Sequence, residues 1–162
     1  MARILSIDYG KKRTGLAVTD PLQIIANGLT TVPTAGLYEY VDKYVHTEPV
    51  ELIVIGEPKQ PNGQPSENLA RVKEFVARWK KRQQIPIILY DERYTSVLAH
   101  QAMIDGGLGK KARQNKALVD EISATIILQS YLESRRWYYL FIHTVSRSCE
   151  KSRLIFLQTI RT

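Results

Sequence analysis

Asp8 closes the run Arg3-Ile4-Leu5-Ser6-Ile7, and an acidic side chain at the end of an otherwise apolar strand calls for a cation. Two further acids, Glu92 and Asp120, could complete a metal site with it. After Asp8, the sequence Tyr9-Gly10-Lys11-Lys12-Arg13-Thr14-Gly15 reads as a tight basic turn into a second strand. A second basic group, Lys110, Lys111, Arg113 and Lys116, precedes Asp120. Together these cations would surround the acidic centre and could hold phosphates on either side of a reacting one. The plainer reading of both clusters is a solvated charge run.

Composition permits such a site. The 162 residues suffice for one domain with a substantial core, and 44% hydrophobic with 24% charged residues is ordinary globular usage. A net charge of +7 favours a polyanionic partner. The single cysteine, Cys149, excludes an intramolecular disulfide and a thiolate zinc cluster, which suits a reducing compartment. No signal-peptide pattern and no apolar run long enough for a bilayer is present, so a cytoplasmic protein with no membrane partner is expected.

The elements that must position the acids follow from periodicity. Arg3–Tyr9, Thr14–Thr19 and Ile24–Val32 read as an antiparallel meander, with Asn27-Gly28 allowing a bulge or bend. An amphipathic helix over Gly36–Glu48 leads to the buried strand Leu52–Ile55, and a loop over Gly56–Pro65 leads to a helix with the stripe Leu69, Val72, Val76 and Trp79. A strand over Ile85–Tyr90 follows, then a helix capped by Thr95 and stopped at Gly106-Gly107. Ala117 to about Arg136 should be a largely buried helix. The order predicts an α/β fold, a mixed sheet with its meander at one side, parallel strands at the other and flanking helices. Ligands of such sheets sit beyond the carboxyl ends of the strands, where Asp8 and Glu92 both fall.

Four motifs in order carry a resemblance: Ile7-Asp8-Tyr9-Gly10-Lys11 through Gly15-Leu16-Ala17-Val18; Ile55-Gly56-Glu57-Pro58 with Asn62-Gly63; Asp91-Glu92-Arg93-Tyr94-Thr95-Ser96; and Asn115-Lys116 with Val119-Asp120 and Ser123-Ala124. Over residues 3 to 136 the chain resembles the YqgF family of RNase H-like nucleases, described as Holliday-junction resolvases and as processing factors for a ribosomal RNA precursor. The resemblance implies an RNase H-like five-stranded sheet and a catalytic, metal-binding triad of Asp8, Glu92 and Asp120. It implies nucleic acid as the partner, ribosomal RNA precursor or DNA junctions, and a place near ribosomal particles.

The chemistry agrees. Phosphodiester hydrolysis needs an activated water and charge neutralisation at the phosphate, which two divalent ions about 3.5 to 4 Å apart supply. Magnesium or manganese takes oxygen donors and needs neither histidine nor cysteine. Carboxylates converging without metal repel, so at least one should have a raised pKa. Strand alternation lets only one of Asp91 and Glu92 reach the ions. Taken singly, Asp8 could merely solvate a loop, and Asp120 could be a first-turn acid favoured by the helix dipole. His46, His100 and His143 lack ligand spacing, and Tyr90 and Tyr94 suit core packing as well as base stacking.

Two departures from the family stand out. Glu57 places an extra carboxylate in the Gly-x-Pro stretch, and Ala117-Leu118 replaces the usual Gly-Lys. The predicted division is a nuclease domain over 1–138 and a basic extension over 139–162, which contributes +3 of the +7. That extension reads as a nucleic-acid arm, an extra element, or a non-native or disordered tail. Two other classes remain: a non-catalytic ribosome-assembly RNA binder, and an actin-like ATPase or sugar kinase, whose phosphate hairpin shares the pattern Asp8-Tyr9-Gly10. A resolvase acting on a two-fold junction would be a homodimer, whereas an RNA processor could be a monomer.

Overall fold

The computed structural model describes residues 1–57, 68–91, 101, 103–107 and 114–136. The chain divides into two compact units, Met1–Tyr131 and Leu132–Thr162. Of the second, only 132–136 are described, and they are helical. The expected boundary at Tyr138 and the extension after it lie outside the described residues.

Five strands form one sheet: β1 (Arg3–Tyr9), β2 (Arg13–Thr19), β3 (Ala26–Pro33), β4 (Val50–Glu57) and β5 (Ile87–Asp91), in the order β3-β2-β1-β4-β5. β1, β2 and β3 are antiparallel, and β4 and β5 run parallel to β1. This is the expected mixed sheet. Two helices, α1 (Leu37–Thr47) and α2 (Asn68–Lys80), follow β3 and β4, and a third, α3, covers 116–136.

β1 is central, so Ile4, Leu5, Ser6 and Ile7 are all fully buried on alternating faces. One face carries Leu5, Ile7, Leu16, Val18, Ile53 and Ile55, which pack with Leu37, Tyr38 and Val41 of α1 and with Val72, Phe75 and Trp79 of α2. Phe75 completes the expected α2 stripe, while Val76 is only partly buried against the same core. The indole of Trp79 donates to the Ile85 carbonyl (3.1 Å), tying α2 to the approach to β5.

The opposite face, carrying Ile4, Ser6 and Asp8 on β1 and Gly15 and Ala17 on β2, is the one that α3 crosses. Thr31 of β3 donates through Oγ1 to the Ala117 carbonyl (2.7 Å). β3 carries one extra residue, Leu29, because Leu16 pairs with Thr30 and Ala17 with Gly28. Of the bulge or bend that the Asn-Gly pair allowed, it is a bulge that falls beside Gly28. Gly28 also has a spatial role: a Cβ there would come within 2.3 Å of the Glu121 carboxylate. α3 is fully buried at Ser123, Ala124, Ile127 and Leu128 and partly exposed on its other faces, short of the burial on most sides that its composition suggested. At 103–105 the chain is helical, ending at Gly107 with φ +72°, the left-handed conformation of a helix stop. The proposed cap Thr95 is outside the described residues.

Candidate active site

The site begins at the carboxyl end of β1. Alternation sends Tyr9 to the α1 and α2 face and Asp8 to the α3 face. The turn that follows is held from three sides. A Cβ on Gly10 would come within 2.2 Å of the Arg13 carbonyl, so the tight turn needs glycine there. Thr34 donates its hydroxyl to the Gly10 carbonyl (2.8 Å) and its N–H to the Lys12 carbonyl (3.0 Å). The Asn68 amide donates to the Tyr9 carbonyl. This fixed turn leaves Lys11 and Lys12 exposed beside Asp8.

Asp8 pairs across the sheet with Gly15, and that glycine decides what Asp8 meets. A Cβ on Gly15 would lie 1.9 Å from the Asp120 carbonyl oxygen, so only glycine lets α3 come this close. Gly15 thus supplies space rather than turn conformation, a correction to its sequence reading. The close approach brings Asp120 to Asp8. Removal from water and, secondarily, the Asp120 charge push the Asp8 carboxyl from 3.8 to about 7. A raised carboxyl pKa was expected from repulsion between converging acids; it is present, with burial as its larger cause and the neighbouring acid as its smaller one.

Arg13 was expected to meet phosphate. In this structure its Nε donates to Oδ2 of Asp120 at 3.0 Å, with both side chains partly exposed. The start of α3 is set by Asn115, whose side-chain oxygen accepts from the Ala117 N–H (3.1 Å). Lys116 is exposed at that first turn. Glu92, Lys110, Lys111 and Arg113 lie outside the described residues, as do His100, His143 and Tyr94. His46 is exposed on α1, its Nδ1 at 2.6 Å from the Asp42 carbonyl. Tyr90 packs edge-on against Tyr131 (5.9 Å between centroids) and donates to the Ser130 carbonyl. Glu57 ends β4 in register with Asp91.

The described residues therefore bring together Asp8, Asp120 and Arg13, with Lys11 and Lys12 exposed on the adjoining turn. Among them no three ligating side chains gather around one point. The donor set nonetheless fits a hard divalent cation: a desolvated carboxyl with a second carboxylate beside it, both oxygen donors. Ser6, one alternation back on the same face, is fully buried, and its hydroxyl has no partner among the described residues. Sequence reasoning missed Ser6 and the Arg13–Asp120 pair, since nothing in the spacing announces either.

Comparison with known proteins agrees with this architecture. The family described as "RuvX: Holliday junction resolvase" matches residues 2–134. A protein of Phocaeicola vulgatus named "Putative pre-16S rRNA nuclease" is 67% identical over 138 residues, covering 85% of this chain and 99% of the relative. A Bacteroides thetaiotaomicron protein of the same name is 62% identical over 138 residues, 85% of this chain and 100% of the relative. Among solved structures, T. thermophilus RuvC in complex with Holliday junction substrate superposes with a TM-score of 0.54 at 20% identity, covering 84% of this chain and 96% of that one. The Fowlpox virus resolvase, in complex with its Holliday junction, gives 0.50 at 12% identity, covering 82% and 97%. At those identities the likeness establishes the RNase H-like fold shared with resolvases. The family match and the near-complete span of the curated relatives together establish that this chain belongs to the RuvX (YqgF) family of nucleases, hydrolases of phosphodiester bonds.

Proposed function

We propose that this chain cleaves ribosomal RNA precursors in the cytoplasm with the help of magnesium or manganese bound by Asp8, Asp120 and Glu92. The observation that carries the reading is the Asp8 carboxyl, buried beside Asp120 and with its pKa pushed up to about 7 by removal from water and by the Asp120 charge. Bound divalent ions would neutralise the phosphate and activate the attacking water. The chain's own residues do the rest. Gly15 holds α3 close enough for Asp120 to reach the site, and Arg13 holds the Asp120 carboxylate until a cation takes its place. Lys11 and Lys12, with Lys116 and the cations Lys110, Lys111 and Arg113, attract the flanking phosphates.

The names of the relatives favour an RNA precursor as substrate. The family description favours a DNA junction as the second reading, which would require a homodimer to cut both strands. The test incubates the protein and its Asp8→Asn variant with labelled pre-16S RNA and a four-way DNA junction, in magnesium, manganese or EDTA. Metal-dependent cleavage of the RNA, absent from Asp8→Asn, is expected. Binding without cleavage under every condition would sink the catalytic reading in favour of an assembly factor.

A further inference from the structure

A second concave site lies on the other side of β1. A cleft of about 240 Å³ opens where Tyr9 ends the strand, and its walls include Tyr38 of α1 and Arg71, Glu74, Phe75 and Arg78 of α2. The four α2 residues are spaced i, i+3, i+4 and i+7, so they form one continuous stripe along the helix. Arg71, Glu74 and Arg78 are exposed, while Phe75 is buried against the aromatic wall. The rings of Tyr9 and Tyr38 stand 6.0 and 6.2 Å from that of Phe75.

Tyr38 is the distinctive member. It is only 6% exposed, and its hydroxyl is buried with no hydrogen-bond partner among the described residues. With that oxygen out of reach of solvent, Tyr38 forms the floor of the cleft, and the groups a ligand could touch are Tyr9 and the exposed arginines. The Arg78 guanidinium already lies over the Tyr38 ring, 4.1 Å from its centroid. Its pairing with Glu39 (3.1 Å) occupies one of five N–H donors on a group suited to phosphate.

We propose that this cleft binds one nucleotide of a nucleic-acid strand, its base against the partly exposed Tyr9 ring and its phosphate on Arg71 and Arg78. Aromatic faces accept any base, and arginines supply the charge for the backbone, a combination common to single-strand binding grooves. Position supports this. Tyr9 follows Asp8 directly, so cleft and acidic site open at the same end of β1 on opposite faces, with exposed Lys11 and Lys12 on the turn between them. A single strand passing over that turn would be anchored in the cleft while another of its phosphates lies at Asp8. The proposal rests on the nuclease reading and extends it to a single-stranded flank of the substrate.

The test measures AMP binding to the full chain by calorimetry in EDTA, where no cleavage occurs, for the unaltered protein and for Arg71→Ala, Arg78→Ala and Asp8→Asn. Arg71 and Arg78 are both exposed, so both alanine variants should fold. One AMP site is expected, weakened about tenfold by Arg71→Ala and by Arg78→Ala and left intact by Asp8→Asn. The same two variants should raise KM for a single-stranded RNA. Absence of AMP binding, binding indifferent to both variants, or inorganic phosphate competing as well as AMP would each overturn the nucleotide cleft. If AMP binds as expected while no RNA or DNA is cut in any metal, the cleft stands and the nuclease reading falls.

Discussion

Asp8 and Tyr9 are neighbours in sequence that face opposite sides of one sheet, and the two sides are built on different principles. On the Tyr9 side, aromatic rings interlock: Tyr38 with Trp79 at 5.7 Å, Phe75 with Trp79 at 6.2 Å, and Tyr9 with Phe75 at 6.0 Å. On the Asp8 side, a glycine admits a helix so closely that two acids confront each other at the cost of one carboxyl's ionisation. The first face stabilises the fold. The second gives up stability for a place where a cation is wanted, and only strand alternation keeps the two separate.

The comparison breaks most sharply at Asp8. Asp8→Asn should lower metal-dependent cleavage about 10³-fold, the worth of several kcal/mol of transition-state stabilisation, as read from single-turnover rates on pre-16S RNA. Truncation on the other face, Trp79→Ala, should cost about 3–5 kcal/mol of stability, measured by urea unfolding. Because its pKa is raised on folding, Asp8 destabilises the metal-free fold by up to about 4 kcal/mol above pH 7. The folded state holds that proton more tightly than the unfolded chain. Stability from this group is therefore complete below about pH 4 and is lost as pH rises to about 7. Urea unfolding in EDTA at pH 5 and pH 8 should show the fall in the unaltered protein, and Asp8→Asn should flatten it. Added magnesium should raise the Tm of the unaltered protein at pH 8 and not that of Asp8→Asn.

Smaller effects sharpen the contrast. Gly15→Ala drives a methyl group into the Asp120 backbone, so it should cost about 1–3 kcal/mol by overpacking and reduce cleavage as well, since α3 must move. An alanine that left both stability and rate unchanged would show that the close approach is dispensable. Arg13→Gln removes a partly exposed pair and should cost less than about 1 kcal/mol, checked by the same unfolding curve.

How much of this was legible beforehand varies by element. β1 was readable to the residue, because a strand buried on both faces must be apolar until it meets the site. β4 ran two residues past the expected Ile55, to Glu57, since Gly56 and the acid after it carry a loop signature that pairing to β5 overrides. β5 was expected at Ile85 and begins at Ile87, after Pro86, whose missing N–H fits a strand poorly. In α2 the alternation of Val76 and Phe75 within one turn left the buried face ambiguous, and the ring cluster decided for Phe75. Asp8 and Asp120 were singled out by residue type and family motif. The Arg13–Asp120 pair was not legible, because charge alone does not say which carboxylate a cation will meet.

The sequence by itself determined the strand and helix order, the mixed sheet and the acids at its edge, because periodicity and the chemistry of a carboxylate after an apolar run are local properties. Only the tertiary structure decided that Gly15 is space for a helix, that Arg13 pairs with Asp120, and that Tyr9, Arg71 and Arg78 line one cleft behind the acidic site. Each of these is a meeting of residues far apart in the chain. Whether a side chain finds a partner, a void or another charge is set by packing distance, which no run of neighbouring residues encodes.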